Sequence, residues 1–349
     1  MHADFAASLE NWYAANRRDL PWRHTRNPYC IWLSEVILQQ TRVAQGHDYY
    51  LRFLEAWPTV ESLAAAREEE VLKCWQGLGY YSRARNLLIA AREVAARGSF
   101  PCTAEGLRKL RGVGDYTAAA VASLAFGEAV AVVDGNVYRV LARVFGIDTP
   151  IDTPEGKKVF ARFAGELLDK GQPALYNQSV MEFGALMCLP RAPRCGECPL
   201  AERCVALAEH KVSELPVKAR RTKVSTRYFV CLYLSSGGAT LLRRREAADI
   251  WRGLYEPLMI EFSKPAEMAD ILRHPAVVGW GGGATFRKVM ERKKHQLTHR
   301  TLLVDGYLVS LASRPEVPGG EWIDESRRDE YAVPRLIELF YRCVDRARH

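Results

Sequence analysis

Four cysteines, Cys188, Cys195, Cys198 and Cys204, are separated by six, two and five residues. Soft thiolates gathered this closely hold a metal centre. A pair of disulfides is the other use of such a cluster. The five remaining cysteines lie singly, and the stretch from Met1 to Tyr13 shows no apolar export signal, so a reducing compartment is expected and disulfides are disfavoured. Structural zinc usually takes two close pairs of cysteines, whereas only Cys195 and Cys198 form one here. The spacing favours iron–sulfur and leaves zinc open.

Two carboxylates could divide the work of breaking a glycosidic bond, which needs an acid for the leaving group and a negative charge beside an oxocarbenium-like sugar. Glu35 lies in a helical run from Tyr29 to Thr41 opened by Pro28, with Ile31, Trp32 and Leu38 on its own face. Such surroundings raise a carboxyl pKa and keep the group protonated near neutrality. The plainer reading is a half-buried Glu paired with an Arg. Asp134 precedes Gly135-Asn136 and the periodic run Val137, Val140, Leu141, Val144, so local sequence favours a helix N-cap. Between these two, Leu107 to Thr117 joins a short helix to a longer one through Gly112-Val113-Gly114. Glycines expose backbone N–H groups next to a helix N-terminus and suit a phosphate, although such a turn is as often only a tight connection.

These residues are held by two kinds of chain. From Asp4 to Glu209 the pattern is helical, punctuated at Trp57-Pro58, Gly98-Ser99-Phe100-Pro101 and Gly171-Gln172-Pro173, with no convincing strand. Lys211, Lys218, Arg220, Arg221, Lys223 and Arg227 then face a single Glu214, which reads as a basic linker over 210–227. Beyond it come strand-like runs, Tyr228 to Leu234 and Thr301 to Leu308, with turn signals at Ser235-Ser236-Gly237-Gly238 and Gly281-Gly282-Gly283. A chain of 349 residues, 48% hydrophobic, can bury a core in each of two domains. Its net charge of +8 points weakly to a polyanionic partner. No stretch reaches the length of a membrane span, and no solenoid repeat is present.

The pattern Cys-x6-Cys-x2-Cys-x5-Cys after a helical domain resembles the [4Fe–4S] motif of the endonuclease III and MutY family. Leu-x-Gly-Val-Gly-x-x-Thr-Ala, at 110–118, resembles that family's helix-hairpin-helix, and Trp-Leu-Ser-Glu-Val-Ile-Leu-Gln-Gln-Thr, at 32–41, resembles its MutY branch. The resemblance implies a mainly α helix-hairpin-helix glycosylase domain over 1–209 with a cluster loop at 188–204, the linker at 210–227, and a C-terminal α+β MutT/Nudix-like domain over 228–349. It implies a structural cluster that helps Arg191, Arg194 and Arg203 face DNA.

The resemblance also implies roles. Glu35 would protonate adenine at N7, and Asp134 would face the sugar, by charge or by a transient bond, oriented by Asn136. Tyr116 stands where strand-cleaving relatives carry a Schiff-base Lys, so a monofunctional enzyme is expected, with water taking the sugar carbon. Gly112 and Gly114 would grip a phosphate. Trp22, Arg23 and Glu182 match residues lining an adenine pocket, and Gln40 and Tyr80 match residues that fill the stack beside an extruded base; core packing is the rival reading for Trp22 and Tyr80. The approach to Asp134 lacks the family's usual Pro.

The tail lacks the acidic metal-binding run of Nudix hydrolases, so nucleotide hydrolysis is not expected. Within His295-Gln296-Leu297-Thr298-His299-Arg300, Thr298 and His299 match a Phe-Ser-His-like loop that reads an oxidised guanine, with Leu297 in place of Phe. The expected partner is double-stranded DNA with 8-oxoguanine:adenine or guanine:adenine mismatches. The protein is expected to be a cytoplasmic, bacterial-type monomer that joins the nucleoid during repair and binds no membrane. An endonuclease III-like pyrimidine glycosylase with lyase activity, and a redox-sensing DNA-binding module without catalysis, are the competing readings.

Overall fold

The computed structural model describes residues 2–219, 224–247, 249–280 and 283–348. By its contacts the chain divides into two compact units, one of Met1–Ala65 and Asn86–Arg221, the other of Ala66–Arg85 and Thr222–His349.

The first unit is helical. Its principal core forms around the helix Gly135–Phe145, whose Val137, Val140, Leu141 and Val144 pack with Phe5, Leu9, Phe160, Val180 and Phe183. Asp134 starts this helix by accepting from the N–H groups of Asn136 and Val137, and Gly146 ends it at φ +67°, where any side chain would collide with Val205. The helix carrying Glu35, Pro28–Leu38, is opened by Asn27, whose side chain accepts from the N–H of Tyr29. It stops at Leu38, short of the Thr41 suggested by periodicity, because Gln39 leaves the helical region and Gln40 turns to φ +55°. The hairpin appears as expected: a short helix Ala104–Leu107, the glycine turn, then Asp115–Phe126.

Residues 210–219 differ from a free tether. Leu215 is buried in the first unit's core with Val212 and Val217 against it, the N–H of Ile151 donates to Val217 O, and that of Ala219 donates to Asp152. Three apolar residues among the cations carry this docking. Arg220, Arg221 and Lys223 of the expected linker, and Gly281 and Gly282 of an expected turn, lie outside the described residues.

The second unit is built on a seven-stranded mixed sheet: β1 (Ser225–Ser236), β2 (Ala239–Arg244), β3 (Tyr255–Glu256), β4 (Leu258–Phe262), β5 (Thr285–Gln296), β6 (Arg300–Ser310) and β7 (Gly320–Asp324). The order is β3-β2-β1-β6-β5, with β4 on β1 and β7 on β2; β1 and β6 run parallel and the other pairs antiparallel. Both faces of β1 are buried. Phe229, Cys231 and Tyr233 join Leu336, Phe340 and Val344 of the helix Arg335–Arg348, while Val230, Leu232 and Leu234 pack with Ile271 and Val277. Burial on both sides explains why β1 reads as an unbroken apolar run. β1 and β6 exceed their apolar centres because their polar ends still pair. Among the described residues no helix is long and apolar enough to cross a membrane.

Candidate active site

In the first unit a cleft of 570 Å³ is lined by Gln39, Gln40, Gly112, Gly114, Tyr116 and Asp134. The end of one helix, the hairpin and the start of a third helix thus meet around one space. Gln39 Nε2 ties two of them by donating to Thr117 Oγ1 at 3.0 Å. At Gly112, φ is +75° and a Cβ would strike Asn86; at Gly114 a Cβ would meet only open space, so the N-terminus of Asp115–Phe126 faces the cleft unobstructed.

Glu35 is 7% exposed, and the Tyr116 hydroxyl donates to its Oε2. Burial pushes its pKa up to about 7; the Tyr116 hydrogen bond pulls it down, the charge of Asp134 pushes it up, and that of Arg23 pulls it down. Desolvation wins, leaving an acid poised near neutrality. Tyr116 was singled out for the amine it lacks, and its positive role, holding the acid, had no local signal.

Asp134 is the N-cap that local sequence suggested, and its charge also reaches Glu35. Its Oδ1 accepts from the N–H groups of Asn136 (2.9 Å) and Val137 (2.7 Å), and its Oδ2 from Asn136 Nδ2 (2.7 Å). Burial raises its pKa, and those three donors oppose the rise by favouring the anion. Asn136 is fixed in turn by Arg139, whose Nη2 donates to Asn136 Oδ1 (2.9 Å) and Gly184 O (2.6 Å) and whose Nε donates to Cys188 O (2.7 Å). One chain of hydrogen bonds therefore runs from Asp134 to the backbone of the first clustered cysteine.

One turn further along the same helix, buried Arg143 donates to Leu189 O at 2.7 Å and lies 3.5 Å from Cys188 Sγ. No disulfide joins any of the nine cysteines, and Cys188, Cys195, Cys198 and Cys204 line one small cavity with Arg143, Phe183 and Met187. Among the described residues no three His, Cys, Asp or Glu side chains close around a point as a lone ion needs. Arg143 has no carboxylate partner among those residues, and a buried cation against four thiols calls for an anionic group. A thiolate-bound iron–sulfur cluster has that charge and that donor set; it would be held by the four cysteines and would fix the loop. Iron and acid-labile sulfide, about four of each per chain, are the expected content of protein purified without oxygen. Stoichiometric zinc in place of iron would overturn this assignment.

Glu182 is buried and clamped by two arginines: Arg18 Nε donates at 2.8 Å, and Arg23 donates through Nη1 at 2.9 Å and Nη2 at 2.6 Å. Burial raises its pKa, but the bonds from Arg18 and Arg23 prevail and hold it at about 2. Glu182 is thus a fixed anion that orients Arg23, whose charge is felt at Glu35. Trp22 is buried edge-on against Tyr50, with ring centroids 5.1 Å apart. Nothing in the sequence around Arg18 marks it as part of this clamp, because its partner lies 164 residues away.

A second space, of 720 Å³, belongs wholly to the second unit and is lined by Tyr80, Arg85, Trp251, His295, Thr298 and His299 among others. Tyr80, at φ +48° and 46% exposed, meets the Thr298 hydroxyl with its own. Thr298 and His299 are exposed, whereas Leu297 packs toward the core beneath. Trp251, at φ +62° with its ring 6.0 Å from that of His295, restores an aromatic to this pocket where the loop has Leu.

Comparison with known proteins agrees with this anatomy. Residues 33–164 match the HhH-GPD superfamily of base excision DNA repair proteins, 188–204 the iron–sulfur binding domain of endonuclease III, and 229–342 a NUDIX domain. Human adenine DNA glycosylase is 46% identical over 214 residues, which cover 58% of this chain and 39% of that protein; against rat, Arabidopsis thaliana and mouse relatives, too, the match spans less than half of their length. The Schizosaccharomyces pombe adenine DNA glycosylase is 35% identical over an alignment covering 97% of this chain and 89% of that one. The solved structure of a thermostable thymine-DNA glycosylase, 32% identical, superposes with a TM-score of 0.56 over 60% of this chain and 97% of its own. The breadth of the yeast match, together with the three domain matches, shows that the chain belongs to the adenine DNA glycosylase family.

Proposed function

We propose that the protein releases adenine from duplex DNA where it is mispaired with 8-oxoguanine or guanine, as a monofunctional glycosylase of base excision repair. The observation that carries this reading is the buried Glu35, with a pKa of about 7, held by Tyr116, which lines one cleft together with Asp134, whose charge is felt at Glu35. The adenine nucleotide is turned out of the stack into the cleft. Glu35 gives its proton to adenine N7, the N-glycosidic bond breaks with its electrons going to the base, and the anionic Asp134 faces the sugar cation. Water adds at C1′, and its proton returns to Glu35. Tyr116 offers no amine, so strand cleavage does not accompany base loss.

The partner base would be read in the second unit's pocket by Thr298 and His299. The test compares adenine opposite 8-oxoguanine, guanine and thymine, with thymine glycol as a further substrate, each with and without alkali. Base loss at the two mispairs, with strand breaks only after alkali, is expected; breaks without alkali or release of thymine glycol would favour the endonuclease III-like reading. His299→Ala is expected to cut the preference for 8-oxoguanine over guanine by about tenfold or more, the worth of roughly 1 to 3 kcal/mol for a base contact. An unchanged preference in both His299→Ala and Thr298→Val would move partner recognition elsewhere.

A further inference from the structure

β5 is the edge strand of the second unit's sheet and runs into the His295–Arg300 side of the pocket. A regular edge strand alternates between faces, yet Glu291, Arg292, Lys293 and Lys294 are all exposed. The cause is a distortion: the pairing with β6 shifts register between Lys288 and Met290 and again between Met290 and Lys293. Arg292 stands in the second shift at φ +37°, where L side chains are rarely found, with its N–H donating at 3.0 Å to Oδ1 of the buried Asp305.

Neighbouring cations are already engaged. Lys288 pairs with Asp305 at 2.9 Å, Arg287 donates to Ala347 O, and Arg227 and Arg300 share Asp249. Among the described residues the side chains of Arg292, Lys293 and Lys294 have neither a carboxylate nor a carbonyl partner. Three unneutralised cations in succession are thus presented by a strained, tethered backbone beside the pocket. Lysines and bulges on an edge strand also discourage edge-to-edge pairing. That purpose does not require a left-handed Arg held by a buried carboxylate, nor cations gathered at the pocket end of the strand.

We propose that Arg292, Lys293 and Lys294 form a phosphate-binding ridge that grips the backbone of the DNA strand whose base enters the Thr298–His299 pocket. The inference rests on the reading of that pocket as the partner-base site. Ridge contacts neutralise phosphates and release counterions, so they strengthen binding to every duplex alike and carry no base preference of their own.

The test uses the full-length, iron-loaded protein and duplexes whose adenine nucleotide bears a 2′-fluoro group, which disfavours the sugar cation and keeps the substrate uncut. Association constants are measured between about 50 and 200 mM KCl for wild type and for Lys293→Gln/Lys294→Gln, opposite 8-oxoguanine and opposite guanine. The slope of log K against log salt is expected to become shallower by about 2, roughly 0.9 for each phosphate lost, with the ratio between the two partners unchanged. Wild-type slope in the variant overturns the ridge, as does self-association of the variant at that slope, which would identify edge protection as the role. A lost partner ratio at constant slope also overturns it, by making these lysines base readers. Should wild type itself show no partner ratio, the reading of the pocket fails; the salt slope then still decides whether the ridge binds phosphates.

Discussion

Glu35→Gln is expected to abolish adenine release while leaving mispair binding nearly intact and making the folded protein more stable at pH 8. The amide keeps the shape of the side chain and can accept from Tyr116, but it has no proton to give. General acid catalysis is worth roughly 10²- to 10⁴-fold, so a single-turnover rate within threefold of wild type would remove Glu35 from the mechanism. In wild type the same rate should fall as pH rises through about 7, where the buried carboxyl ionises. The stability effect has a definite sign. Burial raises the folded-state pKa from 4.5 to about 7, so the carboxyl's contribution is complete below 4.5 and is lost as pH rises through 7. Above that the wild type carries the cost of a buried charge, about 3 kcal/mol by the size of the shift, which Gln avoids. Denaturant melts at pH 5 and pH 8 check this: the variant's advantage should be large at pH 8 and small at pH 5.

Asp134→Asn is expected to be equally inactive and, in contrast, less stable. Its Oδ1 can go on accepting from the N–H groups of Asn136 and Val137, so the helix keeps its cap. The second oxygen, which accepts from Asn136 Nδ2 at 2.7 Å, becomes an NH₂ facing an NH₂. That unmade bond costs about 1 to 3 kcal/mol. Catalysis loses the carboxylate charge assigned to the sugar cation, an electrostatic contribution of roughly 10²-fold or more. Opposite stability changes with the same loss of turnover would separate the acid from the cation stabiliser. An Asp134→Asn protein that releases adenine at the wild-type rate would leave Asp134 as a cap alone.

Much of this site was legible because its chemistry is local in sequence. The cysteine spacing, the glycines of the hairpin and the apolar face around Glu35 each announce themselves within a few residues. The supports of those groups were not legible. Arg139 and Arg143 read as polar members of an amphipathic helix, and only folding shows that they turn inward to Cys188 and its neighbours, 49 and 45 residues away. Glu182 could be placed in a pocket by resemblance, but its clamp on Arg18 depends on a partner 164 residues distant. In the second unit the β-rich texture was plain, whereas the distortion of β5 was hidden, since Arg-Lys-Lys looks the same in a regular strand. The hardest feature to foresee was the assignment of residues 66–85, a helical stretch whose partners lie far downstream.

That assignment constrains how the protein is made. Val71, Leu72 and Trp75 are buried, and this segment is tied to late parts of the chain by Lys73 to Tyr331 O and by Tyr80 to Thr298. The last pair is separated by 218 residues, so at a synthesis rate of about 5 to 20 residues per second Tyr80 waits roughly 10 to 40 s for its partner to leave the ribosome. During that interval Lys73 and Tyr80 are without these late partners. Deleting everything after residue 221 would make the interval permanent, leaving Lys73 and Tyr80 without these partners.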